Sequence, residues 1–211
     1  FRDSFHKGRG LIAILDYGSG NLRSAQRACE ETTQKVIITS DASEALNADG
    51  LVVPGVGSFG GCMEGLLSIN GADIIRERTS AGKKTLGICV GMQILFESSE
   101  EKFHDQEPAG LGLIPGKVVK LRAPVIPHIG WNLVTTPQHS TLFQGIEKER
   151  FYFVHSFAST TTASEIKTTT SEYGGNFIAA IESDTLSAVQ FHPEKSGNAG
   201  LQLLKNWAAS L

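Results

Sequence analysis

A cysteine between two glycines and a histidine two residues ahead of a glutamate are the side chains in this sequence whose types and spacing could do acyl-transfer chemistry. Cys89 lies in Lys83-Lys84-Thr85-Leu86-Gly87-Ile88-Cys89-Val90-Gly91-Met92-Gln93, an apolar run that passes straight into a helical pattern. The pattern predicts a strand, a tight elbow and a helix through Gln93, Ile94, Leu95 and Phe96. Gly87 and Gly91 fit such an elbow because side chains there would collide, so the Cys89 thiol is expected to be presented rather than buried. Free N–H groups and the dipole at the helix start favour the thiolate, the nucleophilic form. Taken alone, the motif is equally open to a buried core cysteine.

The second stretch is Ala188-Val189-Gln190-Phe191-His192-Pro193-Glu194-Lys195-Ser196, which closes a strand. In extended chain, residues two apart point the same way, and Pro193 stiffens the interval, so the Glu194 carboxylate can reach the His192 imidazole. A carboxylate on one ring nitrogen fixes the tautomer and leaves the other nitrogen to exchange a proton with a thiol. An isolated His-x-Glu is commonly surface decoration; here it shares a chain with a cysteine elbow.

A third stretch, Pro54-Gly55-Val56-Gly57-Ser58-Phe59-Gly60-Gly61, follows an apolar strand over Gly50 to Val53. A peptide N–H from this turn could join that of Val90 to hold a developing oxyanion, although a plain tight turn explains the glycines as well. It is no dinucleotide fingerprint, because the third correctly spaced glycine is missing.

The elements that must position these groups follow from periodicity. Leu11 to Leu15 reads as a strand buried on both faces, ending in Asp16-Tyr17-Gly18-Ser19-Gly20-Asn21. Leu22, Ala25, Ala28 and Cys29 recur at helical spacing, which makes Cys29 a core filler. Val36 to Ile38 and Gly50 to Val53 are further strands, and one helix is predicted through Leu66, Leu67 and Ile74. This alternation predicts an α/β fold with a doubly wound, mostly parallel sheet flanked by helices, and the ligand crevice beyond the carboxyl ends of its strands. The Pro54 turn and the Cys89 elbow should then face one cavity. Later strands are predicted at Val118 to Leu121, Trp131 to Thr135, Phe151 to Val154, Phe177 to Ile181 and Leu186 to Gln190, giving a smaller antiparallel sheet in the C-terminal half. Leu201, Leu204 and Ala208 mark a last helix with Ser196 as its expected N-cap.

Composition narrows the classes. With 211 residues, 40% hydrophobic and 19% charged, the chain suits one well-buried domain, taken as 11–211 behind a tail or remnant over 1–10. A net charge of −3 with dispersed Lys and Arg offers no stripe for nucleic acid and no polybasic membrane patch. The three cysteines, Cys29, Cys62 and Cys89, form neither a disulfide framework nor a zinc set, which fits a reducing cytoplasm. The apolar run after the tail is too short for a signal peptide, and no run approaches the ~20 apolar residues of a membrane span.

GICVGMQ together with FHPEKS resembles the class I, or triad, glutamine amidotransferases, with Pro-Gly-Val-Gly in the place of that family's oxyanion loop. More narrowly, LDYGSGNL, PGVGSF, GLGLIPG, PHIGWN, YFVHSF and the Lys195-Ser196 ending are similar to the glutaminase subunits of imidazole glycerol phosphate synthases. The likeness covers everything from Leu11 onward. It implies a flavodoxin-like fold of this class and a Cys89–His192–Glu194 triad that hydrolyses glutamine, with an oxyanion hole from Val56, Gly57 and Val90. It also implies glutamine contacts from Gly57, Gln93, His155, Ser156 and Phe157. Asn21, Ser24, Trp131, Tyr152 and Lys195 would meet a (β/α)₈-barrel cyclase subunit, the partner in a heterodimer that receives the ammonia, in histidine biosynthesis. No metal and no cofactor is expected.

Each of these has a plainer reading. Lys195 could be an exposed charge, Trp131 and Tyr152 packed aromatics, and His128 a satisfied core histidine. His104 and His139 sit in polar loops, and His6 in the tail. Two other functions are open to a chain of this fold. The glutaminase of pyridoxal phosphate synthesis would carry a different sequence around the nucleophile and no PHIGWN. A regulatory relative would have lost Cys89, His192 or Glu194.

Overall fold

The computed structural model describes residues 10–211, so all but Gly10 of the expected tail lies outside the described residues. Strand and helix alternate through β1 (Leu11–Leu15), α1 (Leu22–Glu30), β2 (Lys35–Thr39), α2 (Ala42–Asn47), β3 (Gly50–Gly55), α3 (Phe59–Ser68), α4 (Gly71–Ser80), β4 (Lys84–Cys89) and α5 (Val90–Gln93). Then come β5 (Phe96–Ser99), β6 (Ile114–Lys120), β7 (His128–Leu133), β8 (Arg150–His155), β9 (Phe157–Ser159), β10 (Lys167–Glu172), β11 (Asn176–Glu182) and β12 (Leu186–Val189). A 3-10 turn at Pro193–Lys195 leads into α6 (Gly197–Ala208).

Seven strands form the main sheet in the order β10-β11-β12-β4-β3-β1-β2. From β2 to β12 all pairings are parallel, and β11 and β10 add an antiparallel edge. The parallel part has the 2-1-3-4-5 order of flavodoxin-like sheets, with β12 as the fifth strand. Burial explains why the run Leu11–Leu15 alternates so little: Ile12, Ala13, Ile14 and Leu15 are all fully inside. Each Leu or Ile sealed this way contributes about 1.5–3 kcal/mol. Helix α1 packs with α6, while α2 and α3 pack with α4.

Several expectations need correction. The helix predicted through Leu66 and Ile74 is two helices, because Asn70 takes a left-handed conformation (φ 56°) between α3 and α4. The helix after Cys89 is one turn long, and Phe96, placed in it by periodicity, opens β5 instead. The smaller antiparallel sheet is two sheets: β5-β6-β9, in which β5 and β6 run parallel, and the antiparallel pair β7-β8. Ser196 precedes α6 without capping it, since its hydroxyl donates to the His192 carbonyl and accepts the Tyr152 N–H.

Arg78, unremarked in the sequence, is fully buried at the end of α4. Its guanidinium donates to the carbonyls of Ala45 (2.8 Å), Ala48 (2.7 Å) and Lys84 (2.8 Å), closing the end of α2 and anchoring the start of β4. Burial lowers its pKa to about 10, so it remains charged. The root of the strand that carries Cys89 is therefore pinned.

Candidate active site

The elbow is built by steric exclusion. Cys89 adopts φ 57° and ψ −114°, a region that costs an L-residue on the order of 1–3 kcal/mol. A Cβ on Gly91 would lie 1.9 Å from the Val53 carbonyl, and one on Gly87 2.6 Å from the Gly91 carbonyl. Only glycines let α5 fold back so closely on β3 and β4. The thiol does not reach open solvent as expected: Cys89 is 4% exposed, and it opens onto a cavity of about 320 Å³. Of the other two cysteines, Cys29 is core as its spacing implied, its thiol pushed up to about 12 by burial. Cys62 is buried too, also with a raised pKa, chiefly from burial.

The cavity gathers Val56 and Gly57, then Cys89, Val90 and Gln93, then Val154 to Phe157, and His192 with Lys195, and Glu101 and Pro127 complete its wall. His192 Nδ1 pairs with Glu194 Oε1 at 2.8 Å, with both side chains 6% exposed. Burial alone would lower the His192 pKa, but hydrogen bonds to Cys89 and Glu194, and their charges, outweigh it and raise it to about 10. The other carboxylate oxygen, Glu194 Oε2, is buried without a partner among the described residues. Thiol, imidazole and carboxylate thus stand in sequence. A larger cavity of about 370 Å³, lined by residues such as Lys120, Arg122 and Tyr173, contains no cysteine or histidine.

The family model for class I glutamine amidotransferases matches residues 13–211. The chain belongs to this family. The amidotransferase is 53% identical over 203 residues to "Imidazole glycerol phosphate synthase subunit HisH" of Mycolicibacterium paratuberculosis, an alignment covering 95% of this chain and 98% of that one. The protein of the same name from Thermobifida fusca is 53% identical over 209 residues, again covering 95% and 98%. Among solved structures, a glutamine amidotransferase superposes with a TM-score of 0.74 at 15% identity, covering 95% of this chain and 100% of that one. PurLQS of Thermotoga maritima superposes with a TM-score of 0.70 at 19% identity, covering 94% and 97%. These two likenesses bear on the fold.

Placed in the amidotransferase, the remaining expected residues divide. Gln93 is buried, and its Nε2 donates to the Phe157 carbonyl and to Gln190 Oε1, both at 2.9 Å. Gln190, 1% exposed and with Nε2 3.9 Å from the Cys89 sulfur, was missed by sequence reasoning. Its place two residues before His192 on the same extended chain was the available signal. His155 lines the cavity, but its ring nitrogens are engaged by His128 and the Phe157 carbonyl, so neither is free for a ligand. His128 is the packed histidine of the plainer reading, stacked on Tyr173 with centroids 4.0 Å apart.

The Val56 peptide departs from its expected role. Its N–H donates to Ser19 Oγ at 3.0 Å, and the same hydroxyl donates back to the Val56 carbonyl at 3.0 Å. The Cys62 thiol donates to that carbonyl as well, at 3.3 Å. This N–H is therefore occupied by Ser19 rather than offered to the cavity, whereas Val90 lines the cavity at the first position of α5.

Of the five residues expected on the partner surface, Lys195 lines this cavity and Asn21 a small pocket that shares Val56 and His192 with it. Trp131 on β7 is 52% exposed and meets half-buried Tyr152 of β8 edge-on at 5.9 Å. Lys195 is exposed at the cavity rim. Asn21 accepts the Ser24 N–H and so caps α1, beside Val56 and Glu194. Ile129 (60%), Leu133 (51%) and Val125 (68%) are exposed apolar side chains that sequence reading passed over. Along β7, Ile129, Trp131 and Leu133 alternate onto one face, a stripe readable from period two. Among the described residues no cluster of His, Cys, Asp and Glu is arranged to hold a metal ion, and no helix is long and apolar enough to cross a membrane.

Proposed function

We propose that this chain is the glutaminase subunit of an imidazole glycerol phosphate synthase, releasing ammonia from glutamine for a separate (β/α)₈-barrel cyclase subunit. The observation that carries it is a cysteine elbow and a His192–Glu194 pair on one cavity, in a chain 53% identical over nearly its whole length to such subunits.

In this reading the Cys89 sulfur attacks the side-chain amide carbon of glutamine, and the carbonyl oxygen becomes an oxyanion between the N–H groups of Val90 and the Gly55-Val56-Gly57 turn. A His192 ring held protonated beside the sulfur is the acid that the departing ammonia needs. The C–N bond breaks, ammonia leaves with the proton, and a thioester to Cys89 remains. His192, now neutral, draws a proton from water, which attacks the thioester and releases glutamate. Glu194 keeps the ring in one tautomer throughout.

The Ser19 contacts give the turn a resting form. Turning the Gly55–Val56 peptide would break the hydrogen bond from the Val56 N–H to the Ser19 hydroxyl and bring a second donor to the oxyanion. Removing one oxyanion donor costs roughly 100- to 1,000-fold in rate, so a resting turn of this kind makes the isolated chain slow. The exposed β7 stripe beside the cavity supports a partner surface there. The test is to mix the pure chain with a barrel cyclase subunit and measure glutamate formation with and without the cyclase's nucleotide substrate. No hydrolysis in any mixture overturns the reading.

A further inference from the structure

The Phe157 carbonyl, at the start of β9, accepts from His155 Nδ1 and from Gln93 Nε2, each at 2.9 Å. A carbonyl only accepts, so both partners must present hydrogens, and the polarity of everything beyond them is set. On one side, His155 carries its proton on Nδ1 and offers a lone pair at Nε2. His128 Nδ1, 2.9 Å away, must supply the hydrogen to that lone pair. His128 Nε2 is then an acceptor, and it faces Asn132 Nδ2 at 3.4 Å.

The far end gives the same direction independently. Asn132 Nδ2 donates to the Glu172 carbonyl at 2.9 Å and Asn132 Oδ1 accepts the Leu133 N–H at 2.8 Å, so the amide nitrogen is the atom turned to His128. Both rings are buried, which disfavours their charged forms. On the other side of the Phe157 carbonyl, Gln93 Nε2 gives its second hydrogen to Gln190 Oε1 at 2.9 Å. With its oxygen so engaged, Gln190 turns its own Nε2 to the Cys89 sulfur, at 3.9 Å.

We propose that His128, His155 and Gln190 are positioning residues for glutamine hydrolysis. They form a hydrogen-bonded line from β7 to the Cys89 sulfur in which donation converges on the Phe157 carbonyl from His155 and from Gln93 and runs on from Gln93 through Gln190 to the sulfur, fixing that carbonyl and the Gln93 amide at the cavity wall. The proposal rests on the glutaminase reading for its function but on the hydrogen-bond geometry for its existence. Any reversal in the line would leave two donors or two acceptors facing each other in a buried site.

The test begins with the unaltered chain. Ring-nitrogen NMR should find His128 and His155 both as neutral Nδ1–H tautomers; an Nε2–H tautomer at either overturns the line without reference to activity. In the complex with the barrel subunit, His128→Phe keeps an aromatic ring where His128 stacks but has no N–H, while His128→Asn places an amide N–H near the site of Nδ1 and loses the ring. Positioning through the line requires kcat/KM for glutamine to fall about tenfold in the Phe variant and less than about threefold in the Asn variant. The opposite order means that His128 only packs, and overturns the proposal. Gln190→Glu keeps an acceptor for Gln93 but sets a carboxylate oxygen against the sulfur. Alkylation of Cys89 by iodoacetamide at pH 7 should slow about tenfold in that variant, and an unchanged rate removes Gln190 from the line. If the unaltered complex forms no glutamate, the glutaminase reading fails while the tautomers still decide whether the line exists.

Discussion

Replacing Cys89 by alanine removes one sulfur from a side chain that borders a cavity, so Cys89→Ala should abolish glutamate formation and leave thermal unfolding nearly unchanged. Residual activity close to wild type would remove the thiol from the mechanism. His192→Ala deletes the proton carrier, whereas Glu194→Gln only loosens the ring through the 2.8 Å contact, so steady-state rates should fall further in the first. These three residues were legible because each sits in a short motif whose chemistry is local. Gln190 and Ser19 were not, since their partners, Gln93 and Val56, are far away in sequence and meet them only after the sheet forms. His155 adds a pH effect. Burial, opposed by the hydrogen bond to Phe157 and reinforced by His128 and His192, holds its pKa at about 3 against an ordinary 6.5. The unfolded chain therefore takes up this proton first as pH falls. Stability carried by the neutral ring is complete above about pH 6.5 and is lost as pH falls toward 3. Denaturant unfolding at pH 7 and pH 5 should show the wild type losing on the order of 1 kcal/mol per pH unit more than His155→Gln. Equal losses would place a proton-accepting His155 in the folded state.

At the scale of elements, the turn after β3 is held by side chains from two other elements, Ser19 from the β1–α1 loop and Cys62 from α3. Ser19→Ala deletes the acceptor that holds the Val56 N–H in its resting orientation, together with the hydroxyl's bond to the Val56 carbonyl in the next peptide. Glutaminase activity of the isolated chain should rise, by no more than the ~100- to 1,000-fold that one oxyanion donor is worth, and the further activation by a partner should shrink to match. An unchanged ratio of activated to basal rate would show that Ser19 does not hold the turn. The elbow itself was readable from Gly87 and Gly91, but the short helix and strand β5 after it were not. Helical periodicity through Phe96 is outcompeted by pairing of β5 with β6, a contact some twenty residues away. Strand β10 escaped notice because Lys167 to Glu172 is Lys-Thr-Thr-Thr-Ser-Glu, an edge strand stabilised by its ladder with β11 rather than by apolar burial. The break at Asn70 was equally hidden, since the apolar spacing on either side continues through it.

For the molecule as a whole, the chemistry ends at ammonia. In the proposed reading glutamine takes the cavity with Cys89 and His192, the larger cavity is lined by neither cysteine nor histidine, and the acceptor for ammonia belongs to the cyclase subunit. The surface beside the active cavity carries Ile129, Trp131 and Leu133 in line on β7, more exposed apolar area than a solvated two-stranded sheet requires. A barrel subunit covering that stripe would also meet Lys195 at the cavity rim and Asn21 beside Val56, which puts the docking surface within reach of the resting turn. Trp131→Ala should weaken association with the barrel subunit by about 2 kcal/mol or more, the scale of a buried aromatic anchor, and leave the rate at saturating partner nearly intact. Titration calorimetry and steady-state rates separate these effects, and unchanged affinity would move the interface elsewhere. The activation should come in two steps. The chain alone should hydrolyse glutamine slowly, since the Val56 N–H is held by Ser19. Docking on β7 should raise the rate by restraining the neighbouring walls, and nucleotide in a barrel subunit should raise it much further by favouring the turned peptide, a population shift that requires the ligand to prefer one state. A chain as fast alone as in the full complex with nucleotide would overturn this coupling, and with it the assignment of the Ser19-bound turn as the resting form.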